Sequence, residues 1–114
     1  MSMIGNKYYV YILTNYTKTV LYTGVTNHLE GRILEHYSER GNLKVFAGKY
    51  HAYYLLFYEE YYSISNAIAR EKEIKGWRRS KKVELISSFN PEWRFLNEEL
   101  FGEWPPDKHL KKGK

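Results

Sequence analysis

The chain has 114 residues, which fits one domain and leaves little room for a second. It has no cysteine, so disulfides and thiolate metal sites are excluded. No stretch approaches the ~18 consecutive apolar residues of a membrane span, and "MSMIGNK" lacks the apolar core of a secretory signal, so a cytoplasmic protein is expected. The net charge of +5 is unevenly spread. Residues 1–82 hold 13 Lys/Arg against 7 Asp/Glu, residues 83–107 hold Arg94 against six acids, and four lysines follow from Lys108. A basic body favours a polyanionic partner such as nucleic acid, although an ordinary solvated surface gives the same count. Twelve tyrosines supply rings for packing and for stacking on bases.

"KYYVYILT" (Lys7–Thr14) is aromatic and β-branched and reads as a strand; "NYTKT" is a turn; "VLYTG" (Val20–Gly24) returns as the second arm of a hairpin. Asn27 with Glu30 three residues on reads as a capping box for a helix over His28–Arg40, with Gly41 as its stop. "GNLKVFAGKYHA" reads as loop. "YYLLFYEE" (Tyr53–Glu60) is apolar along most of its length and predicts a central, buried strand. Ser63 or Ser65 caps a helix over Ile64–Trp77, and Ser80 caps another over Lys81–Phe89 that Asn90-Pro91 ends. "EWRFLNEELFGEW" holds a short helix with aromatic anchors, and a basic tail closes the chain. The order β-β-α-β-α-α predicts an α/β (α+β) fold: a small three-stranded antiparallel sheet flanked by helices. The expected division is a domain over 1–89, an acidic aromatic extension over 90–107 packed on it, and a tail over 108–114.

Helical spacing places polar groups where packing favours apolar ones. Leu29 and Ile33 mark the buried stripe of the first helix. His36 falls inside that stripe, and Arg32 lies one turn before it on the flank. A core histidine satisfied by a carbonyl and a surface arginine are the plain alternatives. On the helix over Ile64–Trp77 the apolar face is Ile64, Ala67, Ile68 and Ile74, with Glu71 near its centre and Lys75 beside it. A carboxylate there is costly unless it is paired or binds a metal, and a Glu71–Lys75 ion pair is the structural alternative. Violations of pattern concentrate at functional sites.

These residues, taken in order, resemble the GIY-YIG nuclease superfamily. The likeness is to its small stand-alone members, related to the excision-repair nuclease domain and to phage-intron homing endonucleases. Tyr9-Val10-Tyr11 matches the first half-motif and Tyr22-Thr23-Gly24 the second, with Tyr9 where a glycine is usual and Thr23 where an isoleucine is usual. "VTNHLEGRILEH" matches the helix with Arg32 and His36, and "AIAREKEIK" the helix with the metal-binding glutamate, Glu71. For the asparagine found near the C-terminal end of many such domains, Asn90 is the nearby candidate. The resemblance implies a metal-dependent endonuclease hydrolysing phosphodiester bonds in DNA, in repair or recombination. Tyr11, Tyr22, Arg32 and His36 would be catalytic, and Glu71 would hold Mg2+ or Mn2+. Nucleic acid, DNA ahead of RNA, is the implied partner, with no membrane and an unidentified protein partner left open. Lys44, Lys49, Arg70, Lys75, Arg78 and Arg79 are candidates for backbone contacts. The alternative is a nucleic-acid-binding module that keeps the fold with little catalysis.

Overall fold

The computed structural model of the chain describes residues 6–106. The elements are β1 (Tyr8–Thr14), β2 (Leu21–Thr26), α1 (Leu29–Ser38), α2 (Phe46–Lys49), β3 (Tyr54–Tyr61), α3 (Ile64–Lys75), α4 (Arg79–Phe89) and α5 (Asn97–Phe101). The strands form one antiparallel sheet in the order β2-β1-β3. Among the described residues no helix is long and apolar enough to cross a membrane.

Alternation along β1 divides the interior into two layers, because successive side chains leave a strand on opposite faces. Tyr11 and Leu13 enter the first layer, with Leu29 and Ile33 of α1, Ala47 of α2, Leu55, Leu96 and Trp104. Val10 and Ile12 enter the second, with Leu56, Phe57, Ala67 and Ile74 of α3 and Ile86 of α4. α1 therefore packs on one face of the sheet, and α3 and α4 on the other.

β1, not β3, is the central strand. β3 lies at an edge, and its apolar run has a different cause. A bulge lets Ile12 face Phe57 and Leu13 face Leu55, so Leu56 is extra and three consecutive residues are buried. The outer edge of β3 is then closed by the segment after α4. Leu96 N–H donates to the Leu55 carbonyl at 2.8 Å, Asn97 Oδ1 accepts from Leu55 N–H at 2.7 Å, and Asn97 Nδ2 donates to the Tyr53 carbonyl at 2.9 Å. Asn90 Nδ2 donates to the Leu56 carbonyl at 3.1 Å and to the Arg94 carbonyl at 2.8 Å. Those bonds supply the partners that an open strand edge lacks.

Local starts and stops differ from expectation in four places. α1 has no side-chain cap from Asn27; His28 takes the N-cap position and its N–H is bound by Thr26 Oγ1 at 3.1 Å. α1 also ends at Ser38, before a turn in which Gly41 has φ +88. The segment read as loop contains α2, a single turn anchored by buried Ala47 and Gly48. α4 begins at Arg79, so Ser80 lies inside it and caps nothing. The Ser63 cap of α3 is as expected, its hydroxyl accepting from Asn66 N–H at 3.2 Å.

Asn90 is committed to backbone: besides its two donated bonds, its Oδ1 accepts from Arg94 N–H at 3.1 Å. Replacing it with alanine strands the buried Leu56 carbonyl and frees the part-buried backbone of Arg94. Asn90→Ala should lower stability by about 1–3 kcal/mol in urea denaturation. A loss under ~0.5 kcal/mol would mean that the edge is satisfied some other way.

Candidate active site

The first layer opens to solvent beside β2. There Tyr11 from β1, Tyr22 from β2 and His36 from α1 meet. The Tyr11 hydroxyl lies 3.0 Å from His36 Nε2. Ring centroids are 6.4 Å apart for Tyr11 and Tyr22, 5.9 Å for Tyr11 and His36, and 5.1 Å for Tyr22 and His36. Tyr11 and His36 are buried, while Tyr22 is half-buried.

Gly24 makes this cluster possible. It pairs with Tyr11 across the hairpin, and a Cβ there would overlap the Tyr11 hydroxyl and ring. The Tyr11 ring thus lies over bare backbone, which a side chain at position 24 would deny it. The same close approach explains why glycine ends the second half-motif.

Burial and the neighbouring Tyr22 raise the Tyr11 phenol above its ordinary value, although Arg32 pulls the other way. Tyr11 is therefore a neutral phenol at neutral pH. Burial, with a contribution from the Arg32 charge, pulls His36 down to about 4, so its imidazole is neutral as well. Among the described residues His36 Nδ1 is buried and has no partner. A proton on Nε2 leaves Nδ1 with an unpaired lone pair instead of an orphaned N–H, which is the cheaper arrangement. In that tautomer Nε2 donates to the phenolic oxygen.

Arg32 is half-buried on the flank of the cluster. Burial opposes its charge, but the carboxylate of Glu35 and the Tyr11 hydroxyl hold its pKa above the ordinary value. Its side chain is 34% exposed and its Nη1 is paired with Glu35 Oε1 at 2.5 Å, so the charged guanidinium is partly exposed and partly committed.

Glu71 comes from the other layer. It sits between Ala67 and Ile74 on the buried side of α3, as the spacing predicts, with 11% of its side chain exposed. Ile64 and Ile68, expected on that face, are instead substantially exposed. Glu71 Oε2 is 2.6 Å from Lys75 Nζ, which neutralises the buried charge. Its charge is felt at Tyr11, where it acts to raise the phenol. Thr23, opposite Ile12 in the hairpin, faces the same layer as Glu71, and its Oγ1 is buried without a partner among the described residues. No group of three or more histidine and carboxylate side chains that could hold a metal occurs among the described residues. A lone carboxylate still suits Mg2+, which takes one or two such ligands and completes its shell with water and phosphate.

The six basic candidates divide. Arg70 is consumed by a two-pronged pair with Glu59, both contacts at 3.0 Å, and by Glu73 at 3.0 Å. Arg79 donates to the carbonyls of Thr19 and Lys18 and fastens the hairpin turn. Lys75 is held by Glu71. Lys44, Lys49 and Arg78 remain exposed. Asn90 is bonded within the β3 edge and stands apart from the tyrosine cluster. Sequence reasoning misses Phe46, which stacks on Tyr22 with centroids 6.0 Å apart at 25°. The mixed polarity of "KVFAGK" offers no period from which α2 could be read.

Two measurements check this geometry. Gly24→Ala should displace Tyr11, break its contact with His36 and cost about 1–3 kcal/mol in denaturant unfolding; retention of full stability and of the His36 imidazole chemical shifts would contradict it. His36 titrates near 6.5 when unfolded and lower when folded, so between those values the unfolded chain binds the extra proton. Stability therefore falls as pH drops from ~6.5 toward ~4. His36→Gln should remove that slope, a change on the order of a few kcal/mol across the window. Equal slopes in both proteins would show the imidazole to be solvated.

A model of the GIY-YIG catalytic domain matches residues 7–84. The chain is 40% identical over 95 residues to a UPF0213 protein of Syntrophus aciditrophicus, covering 76% of this chain and 97% of that one. A UPF0213 protein of Natronomonas pharaonis is 39% identical over 80 residues, covering 70% of this chain and 91% of the relative. The solution NMR structure of the UPF0213 protein BH0048 from Bacillus halodurans aligns with a TM-score of 0.49 at 27% identity, covering 81% of this chain and 95% of that one. With the family model matching most of this chain and the Syntrophus relative nearly spanned, the chain belongs to the GIY-YIG family.

Proposed function

We propose that the protein is a metal-dependent endonuclease that hydrolyses phosphodiester bonds in DNA. The observation that carries the reading is the cluster beside β2: two phenols, a neutral imidazole and a partly exposed guanidinium converge there, within the field of Glu71. The resemblance to excision-repair nuclease domains supports repair or recombination as the setting.

Phosphodiester hydrolysis needs a deprotonated water, compensation of charge on the five-coordinate phosphorus, and a strand held in line. Arg32 meets the phosphate, its forked donors matching two oxygens. Tyr11 is too well protonated to serve as base and too deeply buried to meet the phosphate, so it is a positioning group whose hydroxyl, held at His36, lies against the Arg32 side chain. Tyr22 reaches the solvent side of the cluster and is the phenol that orients the attacking water through its hydroxyl oxygen, the proton of the water leaving to bulk solvent. Glu71 would hold Mg2+ or Mn2+ once Lys75, whose side chain is 53% exposed, swings off its oxygen. When bound, that ion would supply Lewis-acid polarisation of the phosphate.

A binding module without useful catalysis is the second reading. Two observations favour it: Lys75 occupies a Glu71 oxygen, and Asn90 is locked into the β3 edge.

A cleavage assay on nicked, branched, single- and double-stranded DNA with Mg2+ or Mn2+ separates the two. The wild type should cut, and chelation should stop it. Arg32→Ala should slow cleavage on the order of 10²–10³-fold, and Glu71→Gln should abolish the response to metal. Cleavage that survives both substitutions would mean another site or a contaminant. No cleavage by a folded wild type that still binds DNA would establish the binding module.

A further inference from the structure

We infer that α2 carries a base-stacking platform, built from Phe46 and Tyr50, that takes an unpaired nucleobase of the DNA strand whose phosphate sits at Arg32. The inference takes its direction from the nuclease reading above, but its test reads binding and needs no catalysis.

A continuous row of rings leads out of the site. His36 contacts Tyr22 at 5.1 Å between centroids, Tyr22 stacks on Phe46 at 6.0 Å, and Phe46 meets Tyr50 at 4.8 Å. The row passes from a buried imidazole to two exposed rings, Phe46 at 49% and Tyr50 at 39%. Single exposed apolar residues are ordinary and need no explanation. Here the exposed rings continue the candidate site.

The exposure does not come from looseness. Gly48 sits so close to the carbonyls of Glu39 and Asn42 that a Cβ would overlap them. Its own carbonyl accepts from Gly41 N–H at 2.9 Å, and the Ala47 carbonyl accepts from Ala52 N–H at 2.8 Å. α2 is thus fixed against the end of α1, with Ala47 buried beneath and Phe46 turned outward. Fixed rings take a partner with little further loss of freedom.

The charge beside the platform suits a phosphate backbone. Lys49 Nζ lies 5.3 Å from the Tyr50 ring centre, Lys44 is exposed just before α2, and Arg32 is at the cluster. An aromatic surface flanked by cations matches a single strand, where every base offers a π-face and every link a charge. Bases inside a duplex are covered on both faces by their neighbours. The platform therefore selects DNA with at least one unstacked nucleotide beside the cut: a single strand, a flap or a junction. Stacking of this kind does not read sequence.

The test measures fluorescence anisotropy of labelled DNA in EDTA, which removes metal-dependent cleavage. The probes are a short oligothymidylate and a blunt duplex of equal length. The wild type should bind oligothymidylate more tightly. Phe46→Ala with Tyr50→Ala should weaken that binding about 5–100-fold while changing duplex binding less than about 2-fold. Phe46→Leu alone keeps the apolar contact with Tyr22, removes the ring and should show the same selective loss; it decides the matter if the double variant unfolds in a thermal melt. Equal loss on both probes, no loss, or a duplex bound as tightly as the single strand overturns the platform. Strand preference without any cleavage would remove the nuclease reading and leave the platform standing; cleavage of blunt duplex without strand preference would do the reverse.

Discussion

The site depends on one close approach, that of the Tyr11 ring to the bare backbone of Gly24. With no side chain opposite, the ring can reach across β2 and bring its hydroxyl to His36 on α1. That contact joins a strand and a helix far apart in sequence, and it does so in polar chemistry. Burying a phenol and an imidazole together keeps both neutral, since either charge would need more water than the layer admits. Arg32 at the flank adds to this by disfavouring a second cation. The positive charge of the cluster therefore comes from the guanidinium alone, at the side where a phosphate would arrive.

Glu71 is governed by the opposite constraint. It is a carboxylate set in an apolar layer and paired with Lys75 at i+4. A pair of that kind is held by one exposed partner, so it can open without disturbing the core. The sheet separates this carboxylate from the phenols in packing but not electrostatically, because Tyr11 feels its charge. The buried phenol and the paired carboxylate are thus kept in different layers of the same small fold.

What can be read from the chain follows from how local each signal is. Leu29, Ile33 and His36 share a stripe because helix geometry fixes it over a few residues, and the structure buries all three. Glu71 is legible for the same reason. The loss of the Asn27 cap is not, because Thr26 one residue before it binds the His28 N–H and the N-cap position moves to His28. The edge position of β3 is hidden because three consecutive buried residues suggest a strand covered on both sides, whereas here a bulge supplies them. Arg70 and Arg79 look free in sequence because their partners, Glu59 and the Thr19 carbonyl, are brought near only by the tertiary fold. α2 leaves no trace because one turn held by Ala47 and Gly48 is too short for periodicity.

The bonds that close β3 come from Asn90, Leu96 and Asn97, all beyond the stretch that the family model matches. The boundary recognised by descent and the boundary required by cooperativity therefore do not coincide. A fragment cut where the matched region stops would carry a row of bare amides and carbonyls along its outermost strand, ready to zip onto another molecule. In this chain, what lies downstream of the matched domain covers the outer edge of its sheet.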